Sequence, residues 1–188
     1  MGAFTYTSRR GYTYHLCQVQ TKAGSHRYAF VREPTGTPVP EVPAGLEVVE
    51  SVNGVVSLRR AGRVPIRAEE VEVVSREVAR HARLRDYRVD AQGRAAVVFE
   101  PLTDISNLAK GFGIPESRIR ATMEVRMQYR PVLRFVLADA KTRTFRAERW
   151  CWKGSVDDWL DLHDEDDLDP LAGKYVKHLG KDSFFELY

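Results

Sequence analysis

Cysteine is nearly missing from this chain. Two thiols, Cys17 and Cys151, in 188 residues cannot build the multi-bridge framework of a small secreted scaffold. Each lies in an aromatic, strand-like run, Tyr14-His15-Leu16-Cys17 and Trp150-Cys151-Trp152, which predicts buried, reduced side chains. Long apolar runs are missing too: none approaches the roughly 20 residues that cross a bilayer. The opening Met1-Gly2-Ala3-Phe4-Thr5-Tyr6 lacks the apolar centre of a secretion signal, and Tyr6 stands where myristoylation wants Ser or Thr. The expectation is a cytoplasmic protein without membrane attachment.

The signatures of catalysis are missing as well. The chain contains no GxGxxG after a strand, no GxxxxGK[ST], no HExxH and no GxSxG. It has no CxxC and no HxxxH pair to start a zinc site. The nearest approach to a nuclease Glu-x-Lys is Glu124-x-Arg126, which falls in a helical run rather than a strand. No catalytic residue, metal ligand or cofactor is therefore assigned.

Hydrophobic residues at 43% and charged residues at 29% are ordinary for a folded domain. At this length one core buries roughly 70% of the unfolded chain's surface, so residues 1–188 read as a single domain. The formal charge of +3 is unevenly spread. Residues 1–156 carry a net +10, whereas 157–169 hold eight acids and no Lys or Arg. Arginine outnumbers lysine 22 to 7, an excess that GC-rich codons would produce without a functional cause.

Strand signals come in adjacent pairs. Tyr12–Gln20 and Arg27–Arg32 flank Lys22-Ala23-Gly24-Ser25, and Leu46–Val52 and Val55–Arg60 flank Asn53-Gly54. Asn-Gly is the strongest short hairpin signal, because both central residues of a type I′ turn need positive φ. Arg88–Asp90 with Arg94–Glu100, and Val132–Asp139 with Thr144–Trp152, complete the set. Pro34, Pro38, Pro40 and Pro43 mark 33–45 as an ordered surface crossing or a polyproline II stretch that cannot be a central strand.

Helix signals follow Pro65, with Glu69, Glu70 and Glu72 early and Arg76, Arg80 and Arg83 late, matching the macrodipole. A short helix is expected over 104–111 and a longer one over 115–129, stopped by Pro131. Ser155 and Asp158 read as a capping box for a helix over 155–162. The acids of 163–169 then form a loop, and Asp169-Pro170 opens a last helix ending at Gly180. Hairpins rather than alternating β–α units predict an α+β class with a mainly antiparallel sheet. The 66–84 and 115–129 helices are expected to pack on that sheet, with a helical C-terminal cap.

One stretch carries a family likeness. Ala109, Gly113 and Ile119 stand at the small-residue, turn-glycine and branched-apolar positions within Ile105–Ile119, so that 105–130 resembles the helix-turn-helix family. Two steeply crossing helices need that small contact, positive-φ turn and shared core residue. The resemblance implies a second helix in the DNA major groove presenting Ser117, Arg118 and Ala121. Lys110 and a following hairpin wing with Lys141, Arg143 and Arg146 would then meet phosphates.

Three weaker constellations have plainer readings. His15 and Cys17 share a strand face, but buried packing is the usual state of a free cysteine. The acidic run His163–Asp169 lacks the Gly and terminal Glu of a calcium loop and reads as a solvated charge run or as a partner for the basic remainder of the chain. Arg76, Arg80 and Arg83 suit a helix C-terminus as well as they suit phosphate. What stands is a non-catalytic binding module acting on a protein partner or a second copy of itself, with nucleic-acid binding as the alternative. The aromatic residues Trp150, Trp152, Trp159, Phe184 and Phe185 are its candidate contact surface if they lie outside the core.

Overall fold

The fold was analysed in a computed structural model that describes residues 2–62, 65–153 and 156–187. In chain order the strands β1 (Thr5–Thr7), β2 (Thr13–Gln20), β3 (His26–Val31), β4 (Thr37–Pro38), β5 (Leu46–Glu50) and β6 (Val56–Arg60) come first. Helix α1 (Ala68–Ala79), β7 (Arg88–Gln92), β8 (Ala95–Pro101), α2 (Ile105–Phe112) and α3 (Glu116–Met123) follow. The chain closes with β9 (Tyr129–Asp139), β10 (Thr144–Lys153), β11 (Val156–Asp166) and α4 (Leu168–Val176). Every strand pairing is antiparallel, and the class is α+β, as the hairpin pattern predicted. Contacts gather into two compact units, Met1–Arg63 with Thr103–Met127 and Val64–Leu102 with Gln128–Tyr188.

In the first unit β2 is central, with β3 on one edge and β1 then β4 on the other. Phe4, Tyr6 and Phe30 meet edge to face or tilted at 6.3–6.4 Å, beside the fully buried Leu16. The proline-rich crossing is thus partly ordered as sheet, since Thr37 and Pro38 pair with Gln18 and Cys17. Asn53-Gly54 does turn the β5–β6 hairpin, but not as a type I′ turn. Gly54 alone has positive φ, at 71°. Its N–H donates to Ser51 O (2.9 Å), and Ser51 N–H donates to Val55 O (3.0 Å). This is the three-residue loop closed by a glycine bulge.

The second unit is a five-stranded meander, β11-β10-β9-β8-β7, with α1 and α4 packed on it and on each other. Its core joins Val74 and Val78 of α1, Leu171 and Val176 of α4, and Leu133, Phe135, Leu137 and Phe145 of the sheet. In α1 the spacing i, i+4 places both valines on one face, and Glu70 Oε2 accepts the Arg67 N–H (2.7 Å) to close the first turn. In the C-terminal segment Arg149 Nε donates to Leu187 O (2.9 Å) and Phe184 is buried, whereas Phe185 is exposed.

Besides the Asn53-Gly54 turn type and the helix expected over 66–84, which ends at Ala79, four expectations require correction. Residues 155–162 do not form a helix: Val156–Asp166 is a strand, paired Trp150 to Trp159 and Glu148 to Asp161. Ser155 itself lies outside the described residues. Pairing along β10 outweighs a local capping signal, and the Trp159-Leu160-Asp161-Leu162 alternation suits it. The acidic loop 163–169 is likewise absent. His163–Asp166 complete β11 through a bulge in which His163 takes φ 58°, and Leu168 and Asp169 already belong to α4. Solvated carboxylates are at home on an edge strand, where they deter edge-to-edge pairing.

The third correction concerns the 115–129 helix, which stops at Met123. Tyr129–Pro131 belong instead to β9, with Pro131 facing Phe99 at a register shift, one of the few sheet positions that tolerates proline. Consequently α4, rather than α3, is the second helix on the sheet. The fourth is the end of α2, which runs through Gly111 and caps at Gly113, φ 62°.

Candidate functional site

In the second unit, alternation along Trp150-Cys151-Trp152 puts both indoles on one side of β10, and the β10–β11 register brings Trp159 opposite Trp150. Trp150 and Trp159 meet edge to face at 5.0 Å, and Trp150 and Trp152 lie tilted at 6.2 Å. Trp150 Nε1 donates to Asp157 Oδ1 (2.9 Å), which satisfies the one polar atom of that ring.

Two arginines from β9 stack on this row. The Arg130 guanidinium lies 4.1 Å from the Trp152 ring centroid, and that of Arg134 lies 4.2 Å from Trp159. Each also holds a carboxylate: Arg130 pairs with Glu100, and Arg134 Nε donates to Glu148 Oε2 (2.7 Å). A planar guanidinium can stack and bind in its plane at once, as a lysine could not. Glu100 further accepts the Tyr87 hydroxyl (3.2 Å). Burial, then the Glu100 charge, raises the Tyr87 pKa far above the ordinary phenol value, so this hydroxyl remains a donor across the physiological range.

Beside the row opens a cavity of about 250 Å³ walled by Val132, Trp150, Trp152, Leu179, Phe184 and Phe185. Glu100, Arg130, Lys181 and Asp182 complete its lining. Trp152 is 47% and Phe185 65% exposed, so the aromatic surface is open to a ligand. Drug-sized ligands occupy roughly 300–1,000 Å³. This space matches one large side chain.

The residues singled out for nucleic acid fall in both units. Lys110, Ser117, Arg118 and Ala121 lie exposed on α2 and α3 in the first. In the helical connection there, Asp104 Oδ1 accepts Asn107 N–H (3.0 Å) and Ile114 N–H donates to Ala109 O (3.1 Å) across Gly113. Lys141, Arg143 and Arg146 belong to the second unit, around the β9–β10 turn. Lys141 is exposed. Arg143 gives its guanidinium to Glu70 and to Pro65 O (3.1 Å), and Arg146 lies 3.6 Å from Asp161.

Cys17 is fully buried and Cys151 partly so; His15, in the first unit with Cys17, is half-buried. Among the described residues, no three His, Cys, Asp or Glu side chains converge as a metal site requires. The sequence exposed the tryptophans but not Arg130, Arg134 or Lys181. Only the strand register brings these beside the rings, and 155–162 read as a helix hides that register. No family model matches the chain, nor does any curated protein or solved structure.

Proposed function

We propose that the protein is a non-catalytic binding module that seats one apolar or aromatic side chain of a protein partner between Trp150, Trp152 and Phe185. The carrying observation is the open, side-chain-sized cavity between Trp152 and Phe185. Trp and Arg dominate the residues whose truncation costs most in protein interfaces, and such anchors bind desolvated pockets ringed by polar groups. Here Arg130, Lys181 and Asp182 supply the ring.

Titration of N-acetyl-phenylalanine amide and N-acetyl-leucine amide, read at the indole N–H resonances, tests the reading. Saturable shifts at Trp150 and Trp152, abolished by Phe185→Ser, are expected. Shifts that never saturate, or that leave both indoles unmoved, reject the pocket as a receptor.

A second reading, duplex nucleic-acid binding, is favoured by one observation: α2 and α3 follow one another across the left-handed Gly113, with Lys110, Ser117 and Arg118 exposed. Its test is affinity across a salt series, which must fall steeply if these cations release counterions from phosphates.

A further inference from the structure

The α2–α3 hairpin of the first unit carries an opening of its own. Leu108 and Phe112 stand four residues apart on α2, and Ile119 and Met123 four apart on α3. Together with Ile114 and Arg118 these side chains line a groove of about 470 Å³. Residues at i and i+4 share a helix face, so the two helices offer two apolar rows to one space. Among the described residues of the first unit nothing fills it: α3 has no buried residue, and Phe112 is 69% exposed. Two eight-residue helices bury an apolar stripe only against a further layer, and the shape left between two helices accepts the ridge of a third.

The charges beside the groove select among occupants. Asp104 is used in capping α2, and Glu116 pairs with Arg120 at 2.8 Å. Arg118, in the lining of the groove, is exposed, and among the described residues it has no carboxylate within ion-pairing distance. We infer that this groove is a docking site for an amphipathic helix of a partner protein, one whose apolar stripe is flanked by Asp or Glu.

A second copy of the chain fits less well, because a two-fold interface presents the same patch twice and would bring two copies of Arg118 to one interface. A nucleic-acid backbone would satisfy Arg118 but leave the Leu108/Phe112 and Ile119/Met123 rows in water. Only an acidic amphipathic helix answers both features, by the groove mode of peptide recognition.

The experiment uses the whole chain and two synthetic 18-residue helical peptides with the same leucine stripe, one flanked by Glu and one by Lys. The Glu peptide is expected to shift the Ile119 and Met123 methyl resonances. It should bind at least about tenfold more tightly than the Lys peptide, a gap that Arg118→Glu narrows or reverses. Phe112→Ser, at an exposed position, should weaken binding while leaving the thermal midpoint unchanged. Equal binding of both peptides, or none, overturns the inference. So does a light-scattering dimer that Phe112→Ser dissolves, or duplex DNA that displaces the Glu peptide and moves the same methyl groups.

Discussion

Glu70 and Arg143, 73 residues apart in sequence, share one carboxylate with a helix end. Oε1 of Glu70 accepts Arg143 Nε at 2.8 Å, while Oε2 accepts the Arg67 N–H that opens α1. Arg143 reaches this position from a left-handed backbone, φ 60°, a conformation that costs a non-glycine residue about 1 kcal/mol or more. The ion pair holds the β9–β10 turn to the helix. Both side chains are largely buried, at 20% and 12% exposure.

Glu70→Ala should therefore lower the unfolding free energy by about 2–3 kcal/mol, since it strands a largely buried guanidinium and removes the helix closure. Arg143→Gly should cost less, because glycine relieves the backbone. Urea unfolding of the two variants checks the order, and equal losses would show that the turn stores no strain.

The core of the second unit is most sensitive at Phe135, which is fully buried between α1, α4 and the neighbouring strands. Phe135→Ala is expected to destabilise by about 3–5 kcal/mol through lost burial and a residual cavity. A loss below about 1 kcal/mol in chemical denaturation would contradict this packing.

Two glycines should respond in opposite directions. At Gly36, φ 94°, an added Cβ would lie 2.4 Å from the Gln18 carbonyl oxygen, so Gly36→Ala must displace β4 from β2. Gly111 is helical with nothing within 4 Å. Gly111→Ala should stabilise by about 0.5–1 kcal/mol through helix propensity. Thermal midpoints of the two variants, one lower and one higher than the parent, are the readout.

Acid sensitivity should concentrate partly at Asp164. Hydrogen bonds from Lys174, then Tyr175, hold its carboxyl below the ordinary carboxylate range. Its folded pKa being the lower, the group contributes stability above the unfolded value of about 3.9, and that contribution is lost as pH falls through the folded value. Asp164→Asn should thus be less stable than the parent at pH 7, with the gap closing below about pH 4. A gap independent of pH would remove Asp164 from the account.

Fluorescence quenching should single out Trp152. It is the tryptophan with an open face, although Arg130 lies over its ring. Acrylamide is expected to quench a fraction of the emission that Trp152→Phe removes, while Trp159→Phe leaves that fraction in place.

Much of the local structure was legible from residue order. The β2–β3, β5–β6, β7–β8 and β9–β10 hairpins follow from β-rich runs split by turn residues, and α1 and α2 from their charge gradient, Asp104 cap and apolar spacing. The failures cluster where a helix-compatible pattern was captured by sheet. Ser155-Val156-Asp157-Asp158 carries a helix start, yet Val156–Asp166 pairs with β10. Met127 continues the period of Ile119 and Met123, yet Tyr129 onward pairs with β8.

By itself the order of residues determined the class, an antiparallel α+β fold of hairpins, because turn glycines and period-two alternation act over a few neighbours. It also determined that three tryptophans and two terminal phenylalanines needed a place. Tertiary structure alone decided which arginines lie over which rings, that Glu70 serves both α1 and Arg143, and that α2 and α3 leave their shared face open. Those outcomes depend on strand register and helix docking, whose energies come from partners tens of residues away, and no local spacing encodes them.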